Sequence, residues 1–151
     1  MSEKLWDQVE NQLNNHKYMD GVQRKISRIK ATGEIFTPSS LVIEILKKTP
    51  LGSFAPGKRV LDPACGDGQF LVGALWVKIL FFEITHDEAL KDIFGIDIMR
   101  DNVDLCKSRL GGGTVIMGDA LSPLKELKGQ TKYERQIMKD LFSNELQNTL
   151  F

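Results

Sequence analysis

The 151 residues carry 20 acidic and 20 basic side chains, so the formal net charge is zero and no bulk signature for binding a polyanion exists. Hydrophobic residues make up 42% and charged residues 26%, as in one soluble globular domain with a single core. No apolar run approaches the roughly 20 residues of a membrane span. The two cysteines and the absence of a signal-peptide pattern argue against a disulfide framework and point to a cytoplasmic setting.

Residues 3–29 are polar and helical in character. Leu5, Trp6, Val9 and Leu13 recur at helical spacing, and Asp20-Gly21 divides the stretch into two helices. Lys17, Arg24, Lys25, Arg28 and Lys30 face a single acid, Asp20. That patch is either a phosphate-contacting surface for DNA or a solvated helix face. In Thr32-Gly33-Glu34-Ile35-Phe36-Thr37-Pro38, Thr37 is placed to cap the next helix, with Pro38 at its first position. Leu41, Val42, Ile45 and Leu46 then form one apolar face. Capping accounts for Thr37 and Pro38 but leaves Phe36 unexplained. Thr49-Pro50 through Pro56-Gly57 is a turn region leading into a strand over 59–61.

The most informative stretch follows: Val60-Leu61-Asp62-Pro63-Ala64-Cys65-Gly66-Asp67-Gly68-Gln69-Phe70-Leu71. It reads as a buried strand, a glycine turn and the first turn of an apolar helix, whose outward N–H groups make a small-molecule site. Gly66 and Gly68 can take positive φ and admit a ligand close to the backbone. The dinucleotide fingerprint is a poor fit, because Leu71 stands at its third glycine and Asp62 would repel a pyrophosphate. A cationic or amine-bearing ligand would welcome that carboxylate. Cys65 reads as a small residue packed under the ligand, since no histidine is placed to activate it. Phe70, Leu71, Ala74, Leu75 and Val77 pack the following helix on the sheet.

Thr85-His86-Asp87-Glu88 is a capping box that opens a short extra helix, with His86 an exposed residue lacking a metal-ligand partner. Ile93-Phe94-Gly95-Ile96-Asp97 is a second parallel strand ending in an acid suited to ribose hydroxyls. Asp97 lies farther beyond Gly68 than the roughly 20 residues usual for such an acid, and the extra helix accounts for the excess. An amphipathic helix runs from Met99 to Leu110, with Val103 and with Cys106 or Leu110 inward, and stops at Gly111-Gly112-Gly113. Thr114 to Met117 is the third strand, followed by Gly118-Asp119-Ala120.

The glycine stretch resembles motif I of S-adenosylmethionine-dependent amino methyltransferases, nearest the gamma-type DNA N6-adenine methylases of restriction–modification systems. Gly33 to Pro38, with Phe36-Thr37-Pro38 upstream of it, resembles their motif X. The resemblance implies an α/β fold: a partial Rossmann-like, class I methyltransferase, doubly wound parallel sheet with N-terminal and C-terminal helices. It implies S-adenosylmethionine as cofactor, bound by Phe36, Thr37, Pro38, Asp62, Pro63, Ala64, Cys65, Gly66, Gly68, Asp97, Ile98, Asp119 and Ala120. Asp97 would take the ribose, Asp119 the adenine amino group, and Thr37 with the glycine loop the methionine end. The organisation expected is a helical segment over 1–31, the cofactor core over 32–124 and a C-terminal helix over 125–151.

The family's catalytic motif, an Asn, Asp or Ser followed by Pro-Pro and an aromatic, is absent, since the chain has no Pro-Pro. Lys139 to Phe142 hold the nearest positions. Lys139 is a donor where an acceptor is needed, and Tyr133, Ile137, Leu141 and Phe142 recur at helical spacing, in a helix from about Tyr133 to Leu146. No catalytic residue and no metal ligand is therefore assigned. The expectation is an adenine methyltransferase-like, cofactor-binding protein incomplete as a stand-alone enzyme. The alternative is a non-catalytic accessory or regulatory subunit. Three parallel strands leave the first at an open edge. The C-terminal helix, a second copy of the chain or a partner protein must cover it.

Overall fold

The computed structural model describes residues 2–15 and 37–143. The Lys17–Lys30 basic patch, the Asp20-Gly21 break, Phe36 and the last eight residues lie outside them. Helices are α1 (Ser2–Asn15), α2 (Ser39–Lys48), α3 (Gln69–Phe82), α4 (His86–Leu90), α5 (Arg100–Leu110) and α6 (Lys132–Leu141). Strands are β1 (Val60–Asp62), β2 (Ile93–Asp97) and β3 (Thr114–Met117), and a 3-10 turn spans Leu51–Phe54. The strands form one parallel sheet in the order β1-β2-β3. None of the described helices is long and apolar enough to cross a membrane.

Each sheet face carries its own core. On one, α1, α2, α3 and α5 supply Leu13, Val42, Leu71, Val103 and Cys106 against Ile93, Val115 and Met117. On the other, α6 lays Met138 and Leu141 over Ile96 and Ile116. Helix α3 is apolar all round because it lies between the sheet and the α1–α2 pair. Gly73 permits that packing, for a Cβ there would stand 2.6 Å from the Leu46 Cδ1. Trp6 of α1 meets Phe81 of α3 with ring centroids 4.9 Å apart.

One polar side chain sits deep in α3. Lys78, fully buried, donates to the carbonyls of Phe54 (3.2 Å), Ala55 (3.2 Å) and Lys58 (2.7 Å) and to Asp92 Oδ2 (3.2 Å). Asp92 also accepts from the Gly57 N–H at 2.9 Å. The ammonium thus fastens the turn that feeds β1 onto α3 and the start of β2. Burial pushes its pKa down, and Asp92 pulls against that.

Several expectations need correction. Helix α2 starts at Ser39, with Pro38 at the cap position and no side-chain cap, so Thr37 does not cap it. Its buried stripe is Val42, Ile43 and Leu46, whereas Leu41 and Ile45 are exposed, because the helix faces α1 and α3. The first strand is displaced by one residue, to Val60–Asp62. His86 is half-buried and packs on Trp76, with centroids 6.1 Å apart. On α6 the buried stripe is Glu134, Met138 and Leu141, and Tyr133 is exposed. A Thr131–Glu134 capping box sets that phase by drawing Glu134 inward.

The two sheet edges differ. The outward backbone of Met117 on β3 is met by side chains: its N–H donates to Glu134 Oε2 and its carbonyl accepts from Gln130 Nε2, both at 2.8 Å. On β1 the Val60 N–H bonds Asp92 across the sheet at 2.7 Å, so by strand alternation the backbone of Leu61 faces outward. No described strand pairs with that edge. An open groove of about 1070 Å³ runs beside it.

Candidate ligand site at the strand ends

β1 delivers Asp62 to its carboxyl end, and the chain turns through Gly66 (φ 55°) and Gly68 (φ 95°) into α3. Both glycines occupy the left-handed region, where a Cβ is penalised. The turn is seated on the sheet through Cys65, whose N–H donates to the Ile96 carbonyl at 2.8 Å. Gly95 makes room for it: a Cβ there would be 3.2 Å from Cys65 Sγ and 2.7 Å from Leu71 Cδ1. The N-cap residue of α3 is Gly68, which has no side chain to cap with, and the first-turn N–H groups direct their positive end toward the turn.

A cleft of about 120 Å³ lies there, lined by Thr37, Asp62, Ala64, Gly66, Gln69 and Phe70 among others. Its electrostatics are mixed: α3 offers donors for an anion, and Asp62 offers a carboxylate for a cation. Burial raises the Asp62 pKa, the Ala64 N–H at 3.1 Å opposes this, and the negative charge of Asp97 adds to it. Two carboxylates at neighbouring strand ends favour a ligand with net positive charge.

Asp97 is engaged inside the fold. Its Oδ2 accepts from the Gly66 N–H at 2.9 Å, and its Oδ1 accepts from the Met99 N–H (2.9 Å) and Asn102 Nδ2 (3.2 Å). An ionised carboxylate has about four acceptor positions, so Oδ2 keeps capacity for a ligand hydroxyl. The same side chain ties β2 to the glycine turn. Ile98, the next residue, is 46% exposed, an apolar surface at the strand end. Asp119 and Ala120 follow β3, half-buried, and Asp119 Oδ1 accepts from the Leu121 N–H at 3.0 Å.

Of the residues expected from sequence, the structure gathers Thr37, Asp62, Ala64, Cys65 and Gly66 around the cleft and ties Asp97 to Gly66. Asp119 and Ala120 stand two strands away at the end of β3. The reading missed Gln69, Arg109 and Asn102. Arg109 is a buried cation in the last turn of α5, and its charge at that apolar phase was the only signal. Among the described residues, no cluster of His, Cys, Asp or Glu could hold a metal ion.

No solved structure matches the chain. The family model for the N-6 DNA methylase matches residues 24–110, more than half of the sequence, from ahead of α2 to the end of α5. That span contains the glycine turn, both strand-end acids and the two helices that frame the cleft. On this match the chain belongs to the N-6 DNA methylase family.

Proposed function

We propose that the chain is the methyl-donor-binding part of a DNA N6-adenine methyltransferase, with S-adenosylmethionine held across the carboxyl ends of a Rossmann-like sheet. The observation carrying this reading is the α3 N-terminus, opened by Gly68, beside the Asp62 carboxylate in one narrow cleft. An amino acid's carboxylate suits the helix N–H groups, and its ammonium suits Asp62. The cleft is smaller than the roughly 300 Å³ or more of a whole drug-sized site. It fits the aminocarboxylate end, while the nucleoside would lie over Ile98, with the ribose on Asp97 Oδ2 and the adenine toward Asp119 and Ala120.

Bound there, the cofactor supplies a methyl group activated by a sulfonium. This chain's own residues bind and orient it. Asp62 and Asp97 favour its positive charge, and Asp97 holds the turn that contacts it. The residues that engage the target amine are proposed to come from another segment or another polypeptide, because Lys139 to Leu141 are helical in α6. Calorimetric titration tests the reading. Wild type should bind S-adenosylmethionine at micromolar Kd, and Asp97→Asn should lose about tenfold or more. No binding by the wild type refutes it.

The open edge of β1 favours a second reading, a non-catalytic subunit that pairs with itself or with a complete methylase. The groove beside Leu61 supports it, in contrast to the covered edge at Met117. Transfer of a radiolabelled methyl group to duplex DNA by the purified chain would sink the non-catalytic reading. A clean monomer in sedimentation at tens of micromolar would count against self-pairing.

A further inference from the structure

Helix α5 buries Arg109 with its side chain 1% exposed. Its guanidinium donates to the Asp67 carbonyl (3.3 Å), the Leu13 carbonyl (3.4 Å) and Gln69 Oε1 (2.6 Å), and it lies 3.4 Å from Asp67 Oδ2. A guanidinium only donates, so it fixes the oxygen of the Gln69 amide toward α5 and the NH2 away from it. That NH2 reaches the Thr37 carbonyl at 3.2 Å and Ser39 Oγ at 3.3 Å. Asp67, Gln69 and Thr37 all line the same cleft. One wall is the glycine turn and the start of α3; the other is the entry to α2. Within the described residues Gln69 bonds directly to both the α2 entry and the guanidinium that holds the turn.

We propose that Gln69 is a positioning residue, oriented by Arg109, that sets the spacing of the two cleft walls and thereby selects ligands bearing an aminocarboxylate. The inference rests on the cofactor reading above. Thr37 presents its carbonyl to Gln69 rather than its hydroxyl to α2, so among the described residues this amide is a direct polar tie between the α2 entry and the start of α3, beside the apolar packing of α2 itself. Losing the NH2 donor frees that wall while leaving the nucleoside surface at Ile98 and Asp119 untouched.

Two variants separate this role from a general packing role. Gln69→Glu keeps an acceptor for Arg109 but loses the donors to Thr37 and Ser39. Gln69→Met is neutral and loses both links. Each is titrated with S-adenosylmethionine and with 5′-methylthioadenosine, which has the same nucleoside and no aminocarboxylate, beside a thermal melt. Both variants should bind S-adenosylmethionine about tenfold more weakly, with 5′-methylthioadenosine unchanged and Gln69→Glu melting as wild type. Unchanged S-adenosylmethionine affinity overturns the proposal. Equal loss for both ligands overturns it too, as does a loss confined to Gln69→Glu, which would reflect the added charge. A wild type that binds neither ligand removes the cofactor reading itself, an outcome distinct from all of these.

Discussion

Glu134 offers a quantitative test of how α6 is fastened to the sheet. Its carboxylate, 3% exposed, accepts from both terminal nitrogens of Arg100, from the Thr131 N–H (3.0 Å) and from the Met117 N–H (2.8 Å). Burial alone would raise its pKa. The Arg100 guanidinium, helped by the Thr131 and Met117 N–H groups, overrides that and holds it at about 2 against an ordinary 4.5. At about 1.4 kcal/mol per pKa unit, that gap corresponds to roughly 3 kcal/mol. The folded state releases its proton more readily, so this stability is fully present above about pH 5 and is lost as pH falls toward 2. Glu134→Gln should cost about 3 kcal/mol at pH 7. That is the low end for breaking a buried pair, because Arg100 is partly exposed and can hydrate. The assay is urea unfolding followed by circular dichroism from pH 7 to pH 2.5. The gap between wild type and variant should close as the pH falls. A gap that stays constant across the range refutes the assignment of the charge to Arg100 and Met117.

Lys78→Met should destabilise by about 3 kcal/mol, since Asp92 and three carbonyls lose their buried donor, and the melting temperature should fall accordingly. Gly68→Ala places a Cβ 2.7 Å from Cys106 Sγ at a φ of 95°, which should cost about 2–4 kcal/mol. Adding Cys106→Ala should recover the clash but not the backbone strain, so denaturant midpoints of the double mutant should fall between those of wild type and Gly68→Ala. Cys65 is buried, and hydrogen bonding with Cys106, reinforced by burial, pushes its thiol up. Ellman's reagent should therefore label neither cysteine in the native protein and both in urea. Rapid native labelling would show that the turn opens.

Local rules made much of this protein legible. Strands at Ile93–Asp97 and Thr114–Met117, the Thr85 cap and the glycine stop at Gly111 follow from apolar runs and backbone preferences that act over a few residues. The glycine turn was legible for the same reason, because the positive φ of Gly66 and Gly68 is a local demand, whereas the close approach of Cys106 to Gly68 is not. What the chain does with its buried charges was not legible. Lys78 interrupts an otherwise apolar core helix, and nothing beside it in sequence supplies the carbonyls that hold it, which arrive from the turn between α2 and β1. Arg109, Gln69 and Thr37 are far apart along the chain, and their link exists only once α5 and α2 flank α3. On α6 the apolar spacing was right for Ile137, Leu141 and Phe142, which pack against the core, but not for Tyr133, which is exposed, because the Met117 N–H on the outer edge of β3 recruits Glu134 instead. Sequence fixes which segments are helix, strand or turn, because those preferences are local. Which polar groups are buried, and which walls of the cleft they join, is decided by tertiary packing, because a buried charge is tolerable only where distant elements bring it partners.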